Sequence, residues 1–264
     1  MARAALLVVA LVFWSACKTV VPAVPLPSDD PRPAAFLKEW GATASARQAL
    51  RGRLHLAVDG YDGEIRFRGN QIVALERPAR LRVEVLGFLN QTAAVIATDG
   101  ERFEVFRSDD RSYQTGGVYP GLLWRQAHLA LTPGEAVEVL LGAPAPGAGL
   151  VPAHAVAAGG DLIRMDLVDS EQRVRQRAAF DADSRLREFE VVDEGGAVRW
   201  RARFGDHEVV GATFFPHTIV LDVTTGDTHV EISLRDVELN PRLAPGVFQL
   251  RDPAGQQPRE GTGG

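Results

Sequence analysis

Arg80–Phe106, RLRVEVLGFLNQTAAVIATDGERFEVF, is the stretch from which the rest of the chain is read. Leu81, Val83 and Val85 alternate with Arg80, Arg82 and Glu84, which predicts a strand with one apolar and one charged face. Asp99-Gly100 predicts a tight turn, and beyond it Phe103 and Val105 alternate with Arg102 and Glu104. The stretch therefore reads as three consecutive antiparallel strands. Between the first two lies Gly87-Phe88-Leu89-Asn90, which puts two large apolar residues at a hairpin tip that should face solvent. Turns select Gly, Asn, Asp and Pro for backbone reasons, and none of those reasons calls for Phe-Leu. An adjacent apolar pair at a tip points to insertion into something. The sequence leaves open whether one of the two folds back onto the sheet rim.

The same alternation extends in both directions. Upstream it predicts strands at Arg53–Val58, Glu64–Arg68 and Gln71–Glu76, with Asp59-Gly60-Tyr61-Asp62-Gly63 as a turn. That turn lacks the spacing and terminal Glu of a calcium loop. Before it, Ala34–Ala49 has Phe36, Leu37, Trp40, Ala44 and Arg47 at helical spacing. Downstream, Tyr119–Leu131 reads as a short amphipathic helix. Thr132-Pro133-Gly134-Glu135 then reads as the start of a second, with Thr as N-cap, Pro at the first position and Glu at the third. Strands resume at Ala153–Ala158, Asp161–Val168, Arg173–Phe180, Arg185–Val192, Ala197–Phe204, His217–Val223 and Thr228–Asp236, and Val247–Leu250 closes the domain. The predicted class is mainly β (α+β). A single antiparallel sheet of ten to twelve strands curves into an incomplete barrel, with helices as a lid over an apolar concavity.

The residues expected to face that concavity are Leu81, Val83, Val85, Phe103, Val105, Leu122, Leu123, Trp124, Val137, Leu140, Met165, Trp200, Phe204, Ile219, Leu221 and Ile232. Periodicity places them on one face but does not distinguish a filled core from an open pocket.

The 264-residue chain carries a formal charge of −5 with interspersed signs, so no basic patch argues for nucleic acid. Arg3 and the apolar run Ala4–Trp14 have the layout of a secretory signal peptide (1–16), too short to span a bilayer. Trp14-Ser15-Ala16-Cys17 resembles a bacterial lipobox, which would make Cys17 a lipidated anchor in the membrane; the alternative is an ordinary cleaved signal with an incidental Cys. Lys18 rather than Asp after the Cys favours the outer membrane by resemblance to known sorting rules. Residues 17–33 form a Pro-rich tether, 34–250 the domain with its helical insertion at about 119–142, and 251–264 a disordered tail. His55, His128, His154, His207, His217 and His229 show no metal-binding spacing, and no nucleophile or phosphate motif is present. The expectation is a non-enzyme without metal or cofactor.

The strand, the Gly-apolar-Leu tip, the small-residue strand Thr92–Thr98, the run Thr98-Asp99-Gly100-Glu101-Arg102-Phe103 and the segment Asp236–Leu250 together resemble the LolA/LolB-type lipoprotein localisation fold, in particular its LolB-like outer-membrane lipoprotein branch. The family more often has Pro-Leu-Gly at the tip, where this chain has Phe88-Leu89-Asn90. The resemblance implies a monomer anchored in the outer membrane and facing the periplasm. It would bind the acyl chains of lipoproteins or lipids in an apolar cavity and help insert them into the membrane through Phe88 and Leu89. It also implies a periplasmic LolA-like carrier as partner. The alternative is a non-catalytic sensor or scaffold lipoprotein that binds a protein or peptide partner in the envelope.

Overall fold

The computed structural model describes residues 23–60, 66–159, 161–250 and 259–260. The signal peptide, Cys17, the second half of the turn after Gly60 and most of the tail lie outside the described residues. The chain opens with β1 (Val24–Pro25) and α1 (Arg32–Ala46), followed by β2 (Ala49–Gly60), β3 (Arg66–Glu76), β4 (Arg80–Leu86), β5 (Thr92–Thr98), β6 (Arg102–Arg107) and β7 (Tyr113–Gly117). Two helices interrupt the meander, α2 (Leu122–Ala127) and α3 (Pro133–Leu140). It resumes as β8 (Val151–Ala158), β9 (Leu162–Val168), β10 (Val174–Phe180), β11 (Leu186–Val192), β12 (Val198–Val210), β13 (Thr213–Val223) and β14 (Thr228–Leu239), with β15 (Arg259–Glu260) last.

Among the described residues, all fifteen strands form one sheet, in the order β1-β8-β9-β10-β11-β12-β13-β14-β2-β3-β4-β5-β6-β7-β15. Every pairing is antiparallel except the two-residue β15–β7 contact. The sheet curls without closing into a barrel, since β1 and β15 are its two edges. Because neighbours alternate in direction, β4 and β13 run the same way. The β4–β5 tip and the β13–β14 turn therefore share one pole of the sheet, whereas the β12–β13 and β10–β11 turns lie at the other.

One half of the concave face is filled with aromatic rings. Phe36 of α1 stacks on Phe180 with centroids 5.2 Å apart, Trp40 meets Phe180 and Phe189 edge-on at 5.7 and 5.6 Å, and Phe189 meets Trp200 at 5.5 Å. Trp40 donates its indole N–H to the Pro144 carbonyl at 2.6 Å, so burying the ring leaves no donor unmade. The other half is covered by α2 and α3.

The start of α3 follows its sequence signature. Thr132 caps the helix by accepting from the Glu135 N–H at 3.2 Å, and Glu135 reaches back to the Thr132 N–H at 2.9 Å. Removing this cap with Thr132→Ala is expected to lower stability by about 1 kcal/mol in chemical denaturation. An unchanged midpoint would mean that packing alone sets the position of α3.

Several boundaries differ from the pattern-based expectation. The first helix runs from Arg32 to Ala46 instead of 34–49, because Arg47 leaves helical geometry (φ −97°, ψ 92°) and Ala49 already pairs in β2. The helix expected over 119–131 shrinks to Leu122–Ala127, since His128 adopts a left-handed φ of 53° and ends it. The strands expected at 64–68 and 71–76 are one strand, whose described part starts at Arg66. β12 and β13 run past Phe204 and start before His217, forming a hairpin that overhangs its neighbours. The closing segment Val247–Leu250 joins no strand of the sheet. It is turn-like and accepts from Arg82 Nη1 through the carbonyls of Val247 (3.2 Å) and Gln249 (3.4 Å), on the charged face of β4. Within the Pro-rich segment, Val24 and Pro25 pair with Ala157 and Val156, which puts residues 24–25 on the sheet edge rather than in a free spacer.

Candidate functional site: an aliphatic void beneath two helices

The half of the concavity under α2 and α3 holds a void of about 110 Å³. Its floor is built from inward-facing residues of adjacent strands: Leu54, Leu56 and Val58 on β2, Leu81, Val83 and Val85 on β4, with Leu221, Val230 and Ile232 beyond. Its roof is Leu123 and Ala127 of α2, Leu129 and Leu131 of the connector, and Ala136, Val139 and Leu140 of α3. Every lining side chain is aliphatic except Gln71, which is 6% exposed and also borders a polar groove beside Asn90. Whereas aromatic rings close the other half, the aliphatic residues here leave space.

The two roof helices are held very differently. Glu138 of α3 pairs with Arg77, whose guanidinium also donates to the carbonyls of Arg47 and Ala143 at 2.9 Å each. Glu135 accepts from Trp200 Nε1 at 3.1 Å and pairs with Arg199 at 2.9 Å. Burial raises the affinity of the Glu135 carboxyl for a proton, yet the bonds from Thr132 and Trp200 and the charge of Arg199 outweigh it and hold its pKa below the ordinary value. This carboxylate's contribution to stability is complete above about pH 4.3, the usual glutamate value, and is lost as the pH falls through the depressed folded value. Glu135→Gln is therefore expected to shrink the acid-induced loss of stability; an identical acid limb in both proteins would refute the assignment.

By contrast, the side-chain ties of α2 among the described residues are two hydrogen bonds of Gln126, from Arg107 at 2.9 Å and to Gln114 at 3.5 Å. Its Leu122 and Leu123 are buried, while Trp124 is 39% exposed. The Trp124 ring lies over Gly226 in the β13–β14 turn, so close that a β-carbon there would sit 2.6 Å from the ring. That turn is at the pole that carries the β4–β5 tip.

The tip is built by three residues other than the apolar pair. The Gly87 N–H donates to the Gln91 carbonyl at 2.8 Å, and the Asn90 N–H donates to Gly87 at 3.0 Å. Asn90 takes the left-handed conformation at φ 60°, and the Gln91 side chain covers Gly87, accepting from the Leu89 N–H at 2.9 Å. The side chains of Phe88 and Leu89 contribute nothing to this frame and stand 99% and 79% exposed. Neither folds back onto the rim.

Of the residues expected to face the concavity, Leu81, Val83, Val85, Leu123, Leu140, Leu221 and Ile232 line the void. Phe103, Val105 and Leu122 pack into a separate cluster with Ile96, Val118 and Tyr119. Val137, Met165, Trp200, Phe204 and Ile219 fill the main core, and Trp124 stands at the rim. Sequence reading did not single out Leu54, Leu56 and Val58, although their alternation with Arg53 and His55 carries the signal. Nor did it single out Gln71, a polar residue at an inward strand position. Among the described residues, no three His, Cys, Asp or Glu are grouped to hold a metal ion, and no helix is long and apolar enough to cross a membrane.

No protein-family model and no curated protein matches the sequence. Solved structures do match the fold. A LolA superfamily protein from Nitrosomonas europaea aligns at 11% identity and TM-score 0.51, covering 83% of this chain and 97% of its own. A putative outer-membrane lipoprotein-sorting protein domain from Vibrio parahaemolyticus aligns at 9% identity and TM-score 0.51, covering 83% and 96%. A DUF1329 family protein from Desulfovibrio piger aligns at 8% identity and TM-score 0.52, covering 83% and 98%. The chain thus has the LolA/LolB-type fold.

Proposed function

We propose that this chain is an envelope lipoprotein, anchored through Cys17 in the outer membrane and facing the periplasm. On this reading it takes acyl chains of lipoproteins or lipids into the void beneath α2 and passes them to the bilayer at the Phe88-Leu89 tip. The reading makes no use of catalysis; its driving force is hydrophobic. Each methylene moved from water into the void gains roughly 0.8 kcal/mol. One observation carries the proposal: a void lined by aliphatic side chains and Gln71, under a helix with no ion pair among the described residues, at the pole of the sheet that presents an exposed apolar pair.

The void of about 110 Å³ is smaller than the roughly 300–1,000 Å³ of small-molecule sites, so the closed form accommodates only part of an acyl chain. Loading then requires the roof to move. The helix that moves is α2, because α3 is tied to Arg77, Arg199 and Trp200, while α2, held by Gln126, the buried Leu122 and Leu123 and Trp124 over Gly226, has no ion pair among the described residues. In this scheme Gln71, the one hydrogen-bonding side chain on the lining, meets the carbonyl end of the acyl group. A LolA-like carrier would deliver the cargo from the periplasm.

Trp124→Ala tests the door. Stopped-flow uptake of a fluorescent fatty acid is expected to become several-fold faster, with a smaller change in equilibrium affinity, because Trp124 lies at the rim and not on the lining. Unchanged uptake kinetics would move the entrance elsewhere.

A further inference from the structure

At the pole opposite the tip, the end of α1 meets the β10–β11 turn and the overhanging β12–β13 hairpin around a polar pocket of about 120 Å³. Arg47 lines it and is 5% exposed. Its Nη1 donates to the carbonyls of Leu141 and Gly142 at 3.1 and 3.0 Å, and Nη2 donates to the Phe214 carbonyl. Among the described residues no carboxylate lies within ion-pair distance of it, and its Nε–H is buried without an acceptor. Arg185 enters from the β10–β11 turn, lies 4.2 Å over the Phe214 ring and pairs with Asp183 at 3.1 Å. Its Nε–H is likewise buried without an acceptor.

Only three buried side-chain polar atoms among the described residues lack a partner, and two of them belong to these arginines. A buried donor left without an acceptor is costly, and a bound water or ion is one of the ways native folds satisfy such a group. Both donors belong to residues that line this one pocket, and a ligand that only accepts would satisfy them. The other wall residues agree with this. Burial, followed by the charge of Arg187, pushes His207 down to about 4, so at neutral pH it places no proton charge there. The carboxylates of Glu39 and Asp183 stand at the solvent-exposed rim, leaving the cation innermost.

We propose that this pocket binds a small oxyanion, a carboxylate or phosphate group, between Arg47 and Arg185. With the Arg47 Nη atoms bound to carbonyls and Arg185 Nη2 to Asp183, the two Nε–H groups are the donors left for such a group, and charge-assisted hydrogen bonds are the stronger class. The site is separate from the aliphatic void and stands whether or not that void holds lipid.

The test is isothermal titration calorimetry in chloride buffer on the chain from Lys18 onward, which keeps every described residue. One arm uses inorganic phosphate and the other dihexanoyl phosphatidate below its micellar concentration. Saturable one-to-one binding of phosphate is expected, weakened about tenfold or more by Arg185→Gln. Arg47 also braces the end of α3, so Arg185→Gln is the decisive variant and its unfolding midpoint is measured alongside. Binding of phosphate alone supports a free anion as ligand. Binding of the phosphatidate, displaced by phosphate, supports a lipid headgroup. No saturable binding in either arm, or equal binding by Arg185→Gln, overturns the proposal and leaves a water-filled pocket.

Discussion

Replacing Phe88 and Leu89 together by glutamate is expected to reduce acyl-chain delivery to anionic or zwitterionic vesicles about a hundredfold while leaving the unfolding midpoint in place. The two side chains stand 99% and 79% exposed, and the turn is framed by Gly87, Asn90 and Gln91, so the fold has nothing to lose. Fully burying one such side chain is worth about 1.5–3 kcal/mol, and the pair enters the interface only in part. A loss of about 3 kcal/mol on the membrane step corresponds to roughly two orders of magnitude. Fluorescence transfer from loaded protein to vesicles measures it. A double variant that binds lipid normally but transfers it slowly places the defect at the membrane. Normal transfer by the same variant would remove the tip from the mechanism.

The second large effect is expected from filling the void. Val83 lines it and is only partly buried, so Val83→Phe can turn its ring into existing space instead of displacing neighbours. The variant is expected to keep or raise its thermal midpoint, since packing replaces empty volume. It should bind a long-chain fatty acid at least a hundredfold more weakly, because excluding about four methylenes forfeits roughly 3 kcal/mol. Gaining stability while losing binding separates a pocket from an imperfection of packing. A variant that binds as well as the parent would mean that lipid sits elsewhere.

The sheet and its central hairpin were readable from the sequence because their signal is local. Alternation in Arg80–Val85 and Arg102–Val105 assigns a face, and Asp99-Gly100 assigns the turn between strands. The capping box at Thr132 was equally local. The helix ends were not: Arg47 continues the helical spacing, yet its side chain crosses to the end of α3 and its backbone must leave the helix to get there. Which inward residues fill and which leave space was also hidden. Trp200 and Phe204 share a face with Leu221 and Ile232, and only the arrival of α1's Phe36 and Trp40 over one half decides where rings close the core. The Arg47–Arg185 pocket joins residues far apart in the chain, one read only as a position in a helical spacing and the other only as the start of a strand.

The void itself is the central claim, and native mass spectrometry followed by organic extraction tests it most directly. The chain from Lys18 onward would be purified without detergent. Stoichiometric acyl lipid, retained by the parent and absent from Val83→Phe, is the predicted result. A chain that carries no lipid and takes up no fluorescent fatty acid would contradict the account and leave a filled core serving as a scaffold for a protein partner.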